Sequence, residues 1–95
     1  MSDVITAAVA TLNSKIEGGF EGTAKFVIDG EGGIIVDADG ARASEEEAEV
    51  TLTANLDTFQ EMMSGDLDPT AAFMSGRLSV DGDMGTAMRL GAALA

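Results

Sequence analysis

The spacing of the apolar residues switches along the chain between a helical period and an extended one. From Val4 to Ile16, apolar side chains recur every three or four positions, which predicts an amphipathic helix. Ser2 or Asp3 can cap the start of this helix, and Gly18-Gly19 ends it. The chain therefore begins with a helix that presents one apolar face to the rest of the fold.

Alternating apolar and polar residues follow this helix and are typical of strands. The alternating segments are 23–29, 33–38, 41–43 and 50–53. The turn at 30–32 joins the first two into a β-hairpin, Asp39-Gly40 is a second tight turn, and Glu45-Glu46-Glu47 is predicted to be a solvated loop. Because one side of each strand is apolar, we expect a sheet with one covered face and one face in water.

Two helical segments interrupt the strands after residue 54. Asn55 can cap the first segment, which Ser64-Gly65 closes. Asp68-Pro69 is a strong start for a second, short helix that Gly76 stops. A connection of this length can carry the last strand across the sheet. Such a crossover would make the pairing of that strand parallel and right-handed.

Residues 77–81 alternate again and predict the last strand, after which Gly82-Asp83 turns into a terminal helix. One stripe of this helix carries small and apolar residues: Met84, Ala87, Met88, Gly91 and Leu94. The order of the elements predicts one α+β domain over residues 1–95.

The charge of the chain limits its partners. It carries 17 acidic residues against five Lys and Arg, a formal charge of −12, and no two of the cations are close in sequence. A nucleic-acid surface requires clustered Lys and Arg, so we expect no nucleic-acid partner. Anionic membranes repel such a chain, so any transient membrane contact should not prefer anionic lipid.

The residue types present exclude most catalytic and metal chemistry. His, Cys, Tyr and Trp are absent, so Ser–His and Cys–His triads cannot form, nor can zinc sites built on His or Cys. Only a pair of carboxylates could do acid–base work. We expect a protein that is not an enzyme and holds no metal or cofactor. Without cysteine, a signal peptide or a long apolar run, cytoplasmic residence is expected.

Two glycine-rich motifs resemble ligand loops but lack essential parts. A calcium loop with Gly40 in the glycine position would start at Ile35, which cannot be a ligand. The glycines at 30–33 precede a strand rather than a helix, which argues against a nucleotide site. Both motifs are interpreted as hairpin turns.

The methionines and two helix glycines leave alternatives open. Five of the six methionines lie in the second half: Met62, Met63, Met74, Met84 and Met88. They either fill gaps in the core or line a soft pocket that repacks around flexible ligands. Gly85 and Gly91 lie inside the terminal helix, where glycine is unfavourable. They indicate either close packing of the helix on the sheet or a helix loose enough to admit a ligand.

Several segments, read together, resemble the sterol carrier protein two family. They are VTLT at 50–53, GDLDPTAAFMSG at 65–76 and RLSVDGDMGTAMRL at 77–90, and the likeness is looser over 1–49. The resemblance implies a small stand-alone member of the bacterial type. It also implies a five-stranded, mainly antiparallel sheet with helices over one face and an apolar tunnel between them, which would take a fatty acid, acyl-CoA, phospholipid or sterol.

The resemblance also implies which side chains line the tunnel. Phe73 and Met74 match an apolar pair before a family glycine, and the terminal helix contributes Met84, Met88 and Leu94. Phe59 and Met63 would form a wall. The floor would consist of inward-facing strand residues: Phe26, Ile28, Ile34, Val36, Leu52, Leu78 and Val80.

Two functions remain open from the sequence. The first is non-catalytic binding and transfer of a lipid or fatty-acyl chain. The second is a module whose exposed apolar groove docks a partner protein. The strong negative charge argues against anionic CoA ligands, and the oligomeric state is left undetermined. The chain ends Ala93-Leu94-Ala95, without a peroxisomal Ser-Lys-Leu signal.

Overall fold

The computed structural model describes residues 3–16 and 19–94 and has the expected α+β class. Its elements, in chain order, are α1 (Asp3–Lys15), β1 (Ala24–Ile28), β2 (Gly32–Asp37), β3 (Gly40–Ala43), β4 (Val50–Ala54), α2 (Leu56–Ser64), α3 (Pro69–Met74), β5 (Ser79–Gly82) and α4 (Met84–Leu94). The predicted order of elements is confirmed, although the last strand begins at Ser79 rather than at Arg77. Ser2 and Gly18, two of the expected helix ends, lie outside the described residues.

The five strands form one sheet in the order β3-β2-β1-β4-β5. β1 and β4 pair in parallel, from Ala24 opposite Val50 to Ile28 opposite Ala54, and the other neighbours are antiparallel. The parallel crossover considered for the last strand does not form. β5 lies antiparallel beside β4. The connection through α2 and α3 leaves the sheet at the end of β4 and brings the chain back at that same end, in the neighbouring strand position.

The crossover is made instead by the segment 44–49, which connects β3 to β4. The Lys25 amino group donates to the backbone carbonyl of Glu45 at 3.2 Å, and a carboxylate oxygen of Glu45 accepts from the Gly33 amide at 2.9 Å. Lys25 points away from the core, since Ala24 and Phe26 on either side of it are buried inward. The segment therefore crosses the face opposite the helices.

The core lies between the helices and the inner face of the sheet. α1 packs over β2 and β3, and α4 packs over β1, β4 and β5. The rings of Phe26 and Phe59 meet edge to face, with centroids 5.5 Å apart. The strand side chains buried on this face are Ala24, Phe26, Ile28, Ile34, Val36, Val50, Leu52 and Ala54. Each large one contributes about 1.5–3 kcal/mol by leaving water.

The predicted ends of the two middle helices are confirmed. The Asn55 side chain accepts from the Thr58 amide at 2.8 Å, and Gly65 closes α2 with a left-handed φ of 86°. Asp68 accepts from the Thr70 amide at 3.1 Å, with Pro69 in the first helical position of α3. These caps satisfy backbone groups that a helix end otherwise leaves without partners.

The side chain of Asn13 connects α1 to the edge strand β3. Its amide nitrogen donates to the Ala41 carbonyl at 3.0 Å, and its oxygen accepts from the Ala41 amide at 2.8 Å. Gly40 beside it has φ 105°, and a side chain there would collide with the Asn13 oxygen. The Asn13 amide thus takes the place that a neighbouring strand would occupy.

We expect Asn13→Ala to lower the free energy of unfolding by about 1–3 kcal/mol, because both backbone groups of Ala41 lose their partner. Urea denaturation of the variant and the wild type measures the change. Ser14→Ala, on the next and exposed position of the same helix, controls for the higher helix propensity of alanine. Equal stability of the two variants would contradict a structural role for Asn13.

Candidate functional site

Two cavities lie on the helical side of the sheet. The α1–α2 cavity has a volume of about 500 Å³ and is lined by Asp3, Val4, Ala7, Ala8, Thr11, Leu56, Phe59, Gln60, Met63 and Ser64. The α3–α4 cavity has a volume of about 460 Å³ and is lined by Leu52, Asp68, Pro69, Thr70, Phe73, Met74, Leu78, Val80, Met84, Ala87, Met88, Gly91 and Ala92. Both volumes fall in the range of small-ligand pockets, roughly 300–1,000 Å³.

The side chains predicted to line one tunnel fall into three groups. Half of the predicted set lines the α3–α4 cavity: Leu52, Phe73, Met74, Leu78, Val80, Met84 and Met88. Phe59 and Met63 line the α1–α2 cavity. The remaining side chains are packed in the core and line neither cavity: Phe26, Ile28, Ile34, Val36 and Leu94. These five side chains are packed against other core residues. Ligand contact by this group stays a prediction.

The floor of the α3–α4 cavity is built from β4 and from the start of β5. The amides of Arg77 and Leu78 both donate to the Ala72 carbonyl, at 2.9 and 3.1 Å. Ala72 is itself fully buried, so these bonds fix the end of α3 against the entry to β5. This arrangement places the buried Leu78 and the half-buried Val80 below the cavity.

A rim of exposed apolar side chains surrounds the α3–α4 cavity. Among residues 3–16 and 19–94, the large hydrophobic side chains that stay exposed are Phe73 (44%), Met74 (81%), Met84 (45%) and Met88 (73%). All of them line this cavity, and we call them the apolar rim. A concentration of exposed apolar side chains at one place is typical of surfaces that bind another molecule.

Most of the stripe predicted along α4 lines the α3–α4 cavity, which Met84, Ala87, Met88 and Gly91 all border, whereas Leu94 is buried in the core. The buried residues of the helix are Thr86, Ala87, Leu90 and Leu94. The core interpretation of the methionines is confirmed for Met62 and Met63, although Met63 also borders the α1–α2 cavity, and a ligand-binding role of the exposed methionines stays a prediction. The exposed methionines belong to the apolar rim.

The two helix glycines are not explained by close packing on the sheet. A methyl group at Gly85 would meet only the Asp83 carboxylate, at 3.7 and 3.8 Å, and one at Gly91 only Pro69, at 3.7 Å. No sheet atom is that close to either position among the described residues. The packing interpretation is therefore wrong, and a loosened α4 stays the alternative.

A small polar network fixes the start of α4. An oxygen of Asp83 accepts from the Thr86 amide at 3.2 Å and from the Thr86 hydroxyl, and Arg89 donates to that hydroxyl at 3.1 Å. The hydrogen bond from the Thr86 hydroxyl, helped by the Thr86 amide and the charge of Arg89, holds the pKa of the Asp83 carboxyl below its usual value. The network orients the helix that carries Met84 and Met88.

Three cationic side chains pair with carboxylates, and none of the three belongs to the lining of either cavity. Lys25 pairs with Glu45, Arg42 with Asp37, and Arg77 with Glu61. The Arg42 hydrogen bond also lowers the pKa of the Asp37 carboxyl. The pairing of Asp37 with Gly40 across the β2–β3 connection confirms the interpretation of that motif as a turn. Each cavity is lined by one carboxylate: Asp3 in the α1–α2 cavity and Asp68 in the α3–α4 cavity.

Comparison with protein families matches residues 4–95 to the SCP-2 sterol transfer family. The chain belongs to this family. A bovine relative, hydroxysteroid dehydrogenase-like protein 2, is 34% identical over 88 residues, which cover 93% of this chain and 20% of the relative. Peroxisomal multifunctional enzyme A of Dictyostelium discoideum is 36% identical over 63 residues, covering 66% and 13%. This SCP-2 family member thus spans about a fifth or less of the length of these relatives.

Solved SCP-2 structures share the fold. Sterol Carrier Protein-2 from Aedes aegypti, in complex with the C16 fatty acid palmitate, superposes with a TM-score of 0.78 at 23% identity, over 100% of this chain and 97% of that one. Sterol carrier protein domain 2 of Helicoverpa armigera has a TM-score of 0.65 at 24% identity, over 96% and 79%. None of the helices in the described SCP-2 fold is long and apolar enough to cross a bilayer.

The Asp83 network of this SCP-2 family member predicts a pH dependence. Because the folded-state pKa of Asp83 lies below the unfolded value, its stabilising contribution is complete above about pH 4 and is lost as the pH falls through the folded pKa. We expect Asp83→Asn to be less stable than the wild type at pH 6, and the two to converge at low pH. Thermal melting from pH 6 to pH 2 measures this. A stability gap that does not change with pH would contradict the role of the charge.

Proposed function

We propose that the chain binds the alkyl chain of a lipid in the α3–α4 cavity and transfers it without catalysing a reaction. The observation that carries this proposal is the apolar rim, which borders that cavity. Membership of the SCP-2 sterol transfer family supports it. So does the palmitate held by the structurally similar protein from Aedes aegypti.

The α1–α2 cavity is a weaker candidate because its lining offers less exposed apolar surface. Phe59 and Met63 are almost fully buried there, so a ligand would remove little of their area from water. The polar residues Thr11, Gln60 and Ser64 contribute to the same lining. A ligand in the α3–α4 cavity would instead cover side chains that now stand in water.

The gain from burying an alkyl chain is sufficient for reversible binding. At about 0.8 kcal/mol per methylene, a chain with about ten buried carbons gains roughly 8 kcal/mol. The cost of association and of ordering the chain takes back a large part of this. Because about 8 kcal/mol corresponds to a dissociation constant of about 1 μM, ten buried carbons should bind more weakly than that once these costs are subtracted, and longer chains that bury more carbons should bind more tightly.

The absence of catalysis is part of the proposal. Acid–base chemistry in this chain would need two carboxylates close together, since it has no His, Cys or Tyr. One carboxylate in each cavity supports a purely binding role. The dehydrogenase in the name of the bovine relative belongs to a protein of which this chain spans 20%.

We expect Met88→Asp to weaken binding of an alkyl-chain fluorophore at least tenfold, because a charge would enter an apolar lining. The fold should survive, since the Met88 side chain is mostly in water. Fluorescence titration measures affinity, and circular dichroism checks the fold. Unchanged affinity in a folded variant would remove α4 from the site.

Two control variants make this test specific. Ala93→Asp adds the same charge to the same helix at an exposed position that lines neither cavity, and should leave affinity unchanged. Ala7→Trp fills the α1–α2 cavity from an exposed position and should also have no effect. Loss of binding in Ala7→Trp alone would move the ligand to the α1–α2 cavity.

Transfer should be faster from zwitterionic vesicles than from anionic ones. The chain carries −12, and the surface potential of an anionic leaflet, about −30 mV, opposes its approach. Raising salt from about 10 mM to 1 M should narrow the difference, because the Debye length falls from about 30 Å to 3 Å. Stopped-flow transfer of a fluorescent lipid measures both rates. Faster transfer from anionic vesicles at low salt would contradict a repulsive role for the charge.

The same rim could instead dock a partner protein. Native mass spectrometry of gently purified protein separates the two functions, since a lipid carrier retains lipid. Protein that is empty, and whose melting temperature is unchanged by long-chain lipids, would favour the partner-binding function.

A further inference from the structure

The polar end of the α3–α4 cavity is formed by the start of α3. Asp68, Pro69 and Thr70 contribute to the lining there, and Asp68 is the charged member of that lining. One Asp68 oxygen accepts from the Thr70 amide at 3.1 Å, which holds the carboxylate in place. The rest of the lining is apolar except for the hydroxyl of Thr70.

The nearest cations by position in the fold are engaged with other groups. Arg77, just before Leu78 of the floor, pairs with Glu61. Arg89, next to Met88 of the apolar rim, donates to the Thr86 hydroxyl beside Asp83. Neither belongs to the lining of the cavity. A ligand carboxylate at this cavity would therefore meet a like charge and no lining cation.

We infer that the α3–α4 cavity selects lipids whose polar end is uncharged or cationic over those ending in a free carboxylate or phosphate, and that Asp68 is the residue that discriminates. The inference rests on the proposed function, since it concerns the ligand of that same site. A long-chain alcohol or an amine can donate a hydrogen bond to the Asp68 carboxylate, whereas an ionised carboxylate cannot.

The size of the effect follows from Coulomb repulsion at a solvent-exposed site. A ligand carboxylate within about 6 Å of Asp68 should bind about threefold to tenfold more weakly than the matching alcohol, at an effective dielectric constant of about 40–80. The −12 charge of the whole chain acts in the same direction but is screened by salt. Only the local repulsion between the ligand carboxylate and Asp68 should disappear when Asp68 is replaced.

The test compares dodecanol, dodecanoate and dodecylammonium, which share one alkyl chain, as competitors of an uncharged alkyl fluorophore. The expected order of affinity is dodecylammonium or dodecanol first and dodecanoate last. Asp68→Asn should bring the affinities for dodecanol and dodecanoate together. Asparagine keeps the cap of α3, because Asn and Asp are equally good N-caps, so the variant removes the charge and retains the fold.

Asp39→Asn is the matched control. It changes the net charge by the same amount, but it lies in the β2–β3 turn, at the sheet edge opposite β5. The ratio of dodecanol to dodecanoate affinity should stay as in the wild type. An equal shift in Asp39→Asn and Asp68→Asn would overturn the local role of Asp68.

Two further outcomes separate this inference from the proposed function. Dodecanoate bound as tightly as dodecanol by the wild type would overturn the inference and leave lipid binding intact. A loss of dodecanoate affinity in Arg89→Gln would then identify Arg89 as a carboxylate anchor. Failure of all three ligands to displace the fluorophore, with no change in melting temperature, would overturn the proposed function and with it the inference.

Discussion

The structure depends on the parallel pairing of β1 and β4 at the centre of the sheet. This pair joins a first half, in which α1 covers β2 and β3, to a second half, in which α4 covers β4 and β5. The segment 44–49 makes it possible by crossing the other face, where Glu45 and Glu49 bond to Gly33 and Thr23. Because β4 lies between β1 and β5, β5 forms the edge of the sheet, and this strand and its helices complete the sheet on that side.

The candidate site arises where the cover of that edge is incomplete. α3 is six residues long, and Val80 of β5 is only half-buried beneath it. Leaving apolar side chains in water forfeits about 1.5–3 kcal/mol for each that could have been fully buried. The apolar rim is therefore exposed because the helices cover this edge of the sheet incompletely, and the same incompleteness accounts for the cavity.

Helix ends and the β1–β2 hairpin were predictable from the sequence, whereas the β1–β4 pairing and the packing of the core were not. Asn55, Gly65 and Asp68-Pro69 set helix ends through neighbouring backbone groups, so their sequence positions suffice. No short turn in the sequence indicates the β1–β4 pair, because β2 and β3 lie between these two strands in the chain. The alternation of apolar residues correctly places Ile34 and Leu52 on the same inner face of the sheet. Only the packing of the helices shows that Ile34 is fully covered by other side chains whereas Leu52 borders a cavity.

The Asn13 bridge has a consequence beyond the stability of α1. A sheet edge exposes backbone donors and acceptors that can recruit the strand of another molecule and begin a growing stack. At β3 the Asn13 amide already occupies both groups of Ala41, so a second chain would have to break them first. At the other edge β5 is short and ends at Gly82, whose φ of 119° departs from strand geometry. The Asn13 amide at the β3 edge and the shortness of β5 at the other edge therefore both oppose strand-to-strand association of this protein, which also exposes the apolar rim to water.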